Sequence, residues 1–182
     1  MSNLKALKSR ISSVKSTQKI TKAMKMVAAS RLRKARTAVE ASRPYADNIQ
    51  HMISDLASNI SVRGCLNANF PLLTGKGKDK THLILILSSD RGLCGGLNST
   101  TVRFAKKRIA DLENQGKNVK IICIGKKAYE QLKTHFNEQI IEKNVGIFKE
   151  NITYEIATKI AHDIVAKFDQ DLFDVCEVIY SK

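Results

Sequence analysis

The sequence predicts an α/β protein in two parts, a long N-terminal helix followed by a partial, doubly wound parallel-sheet domain. Three observations carry that prediction. No glycine interrupts residues 1–63, and apolar residues recur there at alternating steps of three and four. Two short, mainly apolar runs, LILIL at Leu83–Leu87 and VKIICI at Val119–Ile124, have the character of strands buried on both faces. Amphipathic stretches of helical period lie between and after them.

The helix is expected over residues 1–60. Leu4, Leu7, Ile11 and Val14 start a heptad seam, polar Gln18, Thr21 and Lys25 interrupt it, and Ala28, Leu32, Ala35, Val39, Ile49, Ile53, Leu56 and Ile60 carry it on. Around the interruption the apolar positions move to Ile20, Ala23, Met24 and Val27, a slip of the stripe around the helix axis at which a bend or a change of partner is expected. Pro44 removes one backbone donor and is the expected kink. About fifty-six helical residues span about 84 Å, too long for the seam to be buried by the hundred or so residues that follow. Its partner is therefore a second molecule or a part of the polypeptide beyond this sequence.

Residues 61–80 read as a solvated linker containing Gly64, Asn67, Asn69, Pro71 and the run TGKGKDK, which lacks the Gly-Lys-Ser/Thr ending of a phosphate loop. The α/β domain is expected over residues 81–182. Its first strand ends in SSDRGLCGGLN, and Asn98 is placed to cap a helix that buries Val102, Ala105, Ile109 and Leu112 and stops at Gly116. After the second strand, a short helix from Lys126 to His135 buries Ala128, Tyr129 and Leu132. Ile140 and Ile141 mark a weak third strand. A helix from Thr153 to Phe168 turns Ile156, Ile160, Ile164 and Phe168 inward, and Val175 to Tyr180 is the fourth strand. Strand and helix alternating with short links give parallel βαβ units, as in Rossmann-like domains. Ending directly after a strand, the domain is expected to be incomplete at its C-terminal end.

Charge is distributed unevenly. Residues 1–36 hold seven Lys, four Arg and no acid, which is +11 of the formal +14. The four cysteines are far apart and form no CxxC pair, against both a disulfide framework and a zinc cluster. A basic, acid-free start also describes an organellar presequence, but Lys outnumbers Arg here and the apolar pattern continues past Arg36.

Functional motifs are few. The turn Asp90–Asn98 lies where an open α/β sheet places a ligand, but Gly92, Gly95 and Gly96 do not have the G-x-G-x-x-G spacing of a dinucleotide site. His51, His82, His135 and His162 have no metal-ligand spacing and read as ordinary solvated or partly buried histidines. Asp163, Asp169, Asp171 and Asp174 read as a polar surface. A nucleotide-binding enzyme using the Gly92–Gly96 turn and a nucleic-acid binder using the basic helix remain as alternatives. The helix shares its basic residues and its seam on the same turns, unlike a zipper factor, and lacks the aromatics of a membrane-surface helix before Tyr45, which leaves an acidic protein surface as its best partner.

TQKITKAMKMVAASRLRKA, the following SRPYA, and SSDRGLCGGLN together resemble the gamma subunit of F-type ATP synthases, in order and in position from the N-terminus. The resemblance implies a central rotor shaft of the proton-translocating enzyme, coupling rotation of the membrane c-ring to conformational change in the catalytic beta subunits. It implies alpha, beta, epsilon and c-ring partners, no nucleic acid, and no catalytic residue, cofactor or metal of its own. Met24 and Lys25, with the loop residues Arg91, Gly92 and Cys94, are implied to face acidic loops of the beta subunits, and Arg33, Lys34 and Arg36 the inner track of the catalytic ring. The family's gamma subunits run about a hundred residues further, so a C-terminal truncation is expected. The implied location is the cytoplasmic face of a bacterial inner membrane, peripheral and held there only through the complex, or less readily the mitochondrial matrix face.

Overall fold

The computed structural model describes residues 2–63, 70–147 and 153–181. Helix α1 spans Ser2–Arg63, three residues beyond the expected end, and is unbroken through both the polar slip and Pro44. At 1.5 Å per residue its 62 residues extend about 93 Å. Polar residues in its middle satisfy themselves locally: the Thr21 hydroxyl donates to the carbonyls of Thr17 (2.9 Å) and Gln18 (3.0 Å). The seam residues Leu4, Leu7, Ile11, Val14, Leu32, Val39, Ile53 and Leu56 are all exposed. With these side chains exposed, Leu7→Ser and Ile11→Ser should leave the unfolding free energy of the sheet unit unchanged to within about 0.5 kcal/mol. A larger shift would show that the chain does bury its seam.

Residues 69–182 form a second compact unit. A short helix α2 (Pro71–Thr74) precedes strand β1 (Thr81–Leu87); then come α3 (Leu97–Asn114), β2 (Asn118–Ile124), α4 (Lys126–Phe136), β3 (Ile140–Asn144), α5 (Tyr154–Asp169) and β4 (Val175–Ile179). The four strands are parallel in the order β3-β2-β1-β4. The central strand β1 is buried on both faces from His82 to Ile86, whereas β3 alternates between half-buried and exposed positions and β4 does so up to the buried Ile179. This is why the first two strands read as apolar runs and the third as barely a strand.

One face of the sheet, Ile84, Ile86, Ile121, Cys123 and Ile179, packs against α3 through Val102, Ala105, Ile109 and Leu112 and against α4 through Ala128 and Leu132. The other face, Leu83, Leu85, Ile122 and Ile124, packs against Phe168, Ile160 and Ile164 of α5, joined by Phe173. Helices on both faces make the domain doubly wound. Each fully buried Ile or Leu contributes about 1.5–3 kcal/mol of transfer free energy. Gly116, at φ 73°, follows α3, and the N–H of Lys117 reaches back to the Leu112 carbonyl (3.1 Å), so this helix stops where its glycine predicts.

Several expectations need correcting. Tyr129 is only half buried, as are Ile156, Ile160 and Ile164 on α5, β3 runs on to Asn144, and Thr153 stands before α5 rather than inside it. Of the expected linker, Gly64, Asn67 and Asn69 lie outside the described residues, and Pro71–Thr74 is helical. The TGKGKDK run is not freely solvated but forms a strap pinned to the domain. Lys76 Nζ donates to the Phe168 carbonyl at the end of α5 (2.5 Å) and to Asp171 (2.7 Å), and lies 4.3 Å above the Phe168 ring. Asp174 Oδ2 accepts the backbone N–H groups of Lys80 and Thr81 (2.9 Å each). Those aspartates are therefore anchors rather than a passive polar surface.

The two backbone bonds, Thr81 first and then Lys80, hold the Asp174 carboxyl below the usual carboxylate range. A depressed carboxyl stabilises the fold above its unfolded value, and that stability is lost as pH falls through the folded value. Stability should thus decline as pH drops below about 4, and Asp174→Asn should flatten that limb, as urea midpoints measured across the acid range will show.

Candidate partner-binding site

The strand order reverses between β1 and β4, so the turn that follows β1 stands at the switch point where open α/β sheets carry their ligands. Its geometry follows from the ends of β1 and β2. Ser88 N–H continues the ladder to the Ile124 carbonyl (2.8 Å), and its hydroxyl accepts the N–H of Ala128 in α4 (2.9 Å). Gly125, at φ 98°, passes so close that a Cβ there would lie 2.1 Å from the Ser88 carbonyl oxygen. Asp90 Oδ1 accepts from the N–H groups of Lys126 and Gly146 (3.0 Å each), tying the turn to both α4 and the end of β3.

Asn98 does not cap α3. The helix begins at Leu97 with Gly96 ahead of it, and Asn98 is buried within the first turn. Its side chain instead braces the preceding loop: Oδ1 accepts the Ser89 N–H (3.0 Å), while Nδ2 donates to Ser89 Oγ (2.8 Å) and lies 3.0 Å from Cys94 Sγ. Held at both ends, the loop presents Arg91, Gly92, Leu93 and Cys94 to solvent. Leu93 is fully exposed at φ 61°, an apolar side chain in a conformation that a residue other than glycine rarely adopts. Sequence reasoning passed it over, although a leucine inside a polar glycine turn was the available signal.

The helix that opens from the Gly92–Gly96 turn is α3, whereas these contacts close the start of α4. The first three N–H groups of α4, from Lys126, Lys127 and Ala128, are taken by Asp90, the Ser89 carbonyl (3.1 Å) and Ser88. Helix α4 therefore offers no free first-turn donor to a phosphate. Among the described residues no group of three or more His, Cys, Asp and Glu is arranged to hold a metal ion.

The remaining site residues lie on α1, all exposed. At about 100° per residue, Lys25, Arg33 and Arg36 share one face, Met24 lies on the slipped stripe with Ile20 and Val27, and Lys34 projects elsewhere. Arg36 Nε donates to Glu40 one turn on (2.7 Å), an exposed pair worth about 0.3–0.5 kcal/mol. The α1 residues thus cluster along one helix and Arg91, Gly92 and Cys94 along one loop, each group within its own unit.

His82 was also underestimated. It is 4% exposed, with its ring between two carboxylates: Nε2 lies 2.6 Å from Asp79 and Nδ1 3.3 Å from Glu177. Asp79 three residues earlier was the visible half of that signal; Glu177, 95 residues later, was invisible before the strands were paired.

A family model described as ATP synthase matches residues 3–182, and an ATP synthase gamma chain of Nitrobacter winogradskyi is 48% identical over all 182 residues. The chain belongs to this family. The gamma chain of Rhodopseudomonas palustris strain BisB18 is 47% identical over the same span. Both matches cover 100% of this chain and 61% of the relative, so the chain spans about three fifths of the length of the curated relatives it matches. Among solved structures, the central stalk and c-ring of the Tetrahymena thermophila mitochondrial ATP synthase contains a similar chain. It has a TM-score of 0.58 and 28% identity, covering 81% of this chain and 59% of that one. Family membership and the parallel α/β fold agree with the resemblance. Among the described residues no helix is long and apolar enough to cross a membrane.

Proposed function

We propose that this chain is the central-stalk part of an ATP synthase, turning within a ring of alpha and beta subunits and carrying no catalytic site of its own. The observation that carries the reading is α1: 62 helical residues with an exposed heptad seam and a basic, nearly acid-free first half. An apolar seam seeks a second long helix, and a basic surface attracts acidic loops through contacts that exchange easily because they stay solvated. Two relatives bear the gamma-chain name, and a similar chain stands in a structure described as central stalk and c-ring.

In this reading Lys25 and Met24, with Arg91, Gly92 and Cys94, meet the beta subunits, and Arg33, Lys34 and Arg36 follow the inner wall of the ring. An asymmetric shaft contacts three beta subunits unequally, so turning it biases each toward a different conformation and nucleotide affinity. Leu93 adds an apolar tip to the loop. The epsilon subunit and the c-ring complete the partners, and the complex lies peripherally on the cytoplasmic face of a bacterial inner membrane. The exposed seam and basic surface of α1, together with the absence of G-x-G-x-x-G spacing at Gly92, Gly95 and Gly96, support this reading over a nucleotide-binding enzyme.

Co-expression with the alpha and beta subunits tests it. The chain should co-purify with them at one copy per three of each, and alone should neither bind nor hydrolyse ATP. Hydrolysis by the isolated chain, or failure to co-purify with the catalytic subunits, would overturn the reading.

A further inference from the structure

Two lysines stand where the turn after β1 meets the start of α4. Asp90 Oδ1 accepts the Lys126 N–H (3.0 Å) and the Ser89 carbonyl accepts the Lys127 N–H (3.1 Å), so the backbone beneath both side chains is fixed to the loop that carries Arg91. The stem of Lys127 runs beside that loop: an added Cβ at Gly92 would lie 3.9 Å from Lys127 Cε. Arg91, Lys126 and Lys127 therefore belong to one surface, although α3 and β2 lie between them in sequence.

Glu130, about one turn further along α4, faces both lysines. Its Oε2 accepts a hydrogen bond from Lys127 Nζ at 2.6 Å, and its Oε1 lies 3.5 Å from Lys126 Nζ. One carboxylate thus spans two ammonium groups, with one oxygen toward each. All three side chains keep contact with water, at 55% exposure for Lys126, 32% for Lys127 and 35% for Glu130. Ion pairs this solvated exchange partners at little cost, unlike buried ones. The start of α4 is held by its main-chain bonds to Asp90 and Ser89, so exchanging the carboxylate leaves the backbone in place.

We propose that Lys126 and Lys127 extend the partner-binding loop onto α4, and that Glu130 holds the place of a carboxylate from an acidic loop of the beta subunit. The inference rests on the rotor reading, in which Arg91 meets that subunit. A partner carboxylate that takes the Glu130 position gains two ammonium groups already set side by side, with Arg91 on the adjoining loop. Glu130 is then a competitor within the chain. It neutralises the two like charges while no partner is bound, and it lowers affinity for the partner in proportion to the time it occupies them.

The test is a mutant cycle on the 182-residue chain, read as its dissociation constant with the alpha and beta subunits. Glu130→Gln should tighten binding about threefold, and Lys126→Gln together with Lys127→Gln should weaken it about tenfold. With both lysines replaced, Glu130→Gln should have no effect. Glu138→Gln changes the net charge equally at an exposed position just beyond α4, and should alter affinity less than about 1.5-fold. A Glu130→Gln gain that persists without the lysines, or that Glu138→Gln reproduces, would overturn the proposal. So would lysine variants that bind like the wild type. A wild type that does not bind the subunits at all overturns the rotor reading and this inference with it.

Discussion

Gly125→Ala is expected to cost the sheet unit roughly 3 kcal/mol or more, enough to unfold much of a marginally stable domain. Two costs add. The residue sits at φ 98°, where an L side chain is strained, and the new Cβ would meet the Ser88 carbonyl oxygen at 2.1 Å and its carbonyl carbon at 2.7 Å. Neither obstacle moves freely, because Ser88 N–H is bonded to Ile124 and Ser88 Oγ receives the Ala128 N–H. Gly95 supplies the contrast: it has φ 61° but no atom within 4 Å of an added Cβ, so Gly95→Ala should cost only about 1 kcal/mol. Urea midpoints of the two variants separate the contributions. Equal losses would mean that the contact with Ser88 is unimportant.

Replacing Arg33, Lys34 and Arg36 together by Glu should slow association with the alpha and beta subunits roughly 100-fold at low salt. Each of the three substitutions changes the charge by two, which takes the formal net charge from +14 to +8 and concentrates the change within one turn of α1. Raising the salt should narrow the gap between variant and wild type, because screening weakens the attraction the variant has lost. The Arg36→Glu change also places a carboxylate one turn from Glu40, a local helix cost of about 0.3–0.5 kcal/mol. The sheet unit should be unaffected, so its urea midpoint serves as the control. Association rates measured at several salt concentrations decide the matter, and a rate that ignores the reversal would remove these three residues from the interface.

Legibility followed the range of the interaction. The seam from Leu4 to Leu56 and the apolar runs of β1 and β2 were readable because apolar patterning records, residue by residue, which face of an element each side chain takes. Gly116 was readable because a left-handed turn after a helix calls for glycine. Asn98 was misread because its local preference as a cap was overridden by a loop that needed its amide: the helix starts one residue earlier and the side chain turns back to Ser89 and Cys94. The strap was misread for the same reason. Lys76, Asp79 and Lys80 look solvated in a Gly- and Lys-rich run, but their partners stand at Asp171, Lys117 and Asp174.

By itself the sequence determined the long helix, its exposed seam and basic first half, the alternation of strands and helices, and the motifs that mark the family. Each rests on neighbours within a turn or two along the chain. Only the tertiary structure decided the order β3-β2-β1-β4, which puts the glycine turn at the switch point, and the closing of the α4 N-terminus by Ser88, Ser89 and Asp90. It alone placed His82 between Asp79 and Glu177. Those features depend on residues tens of positions apart, brought together by parallel pairing whose register no local pattern encodes.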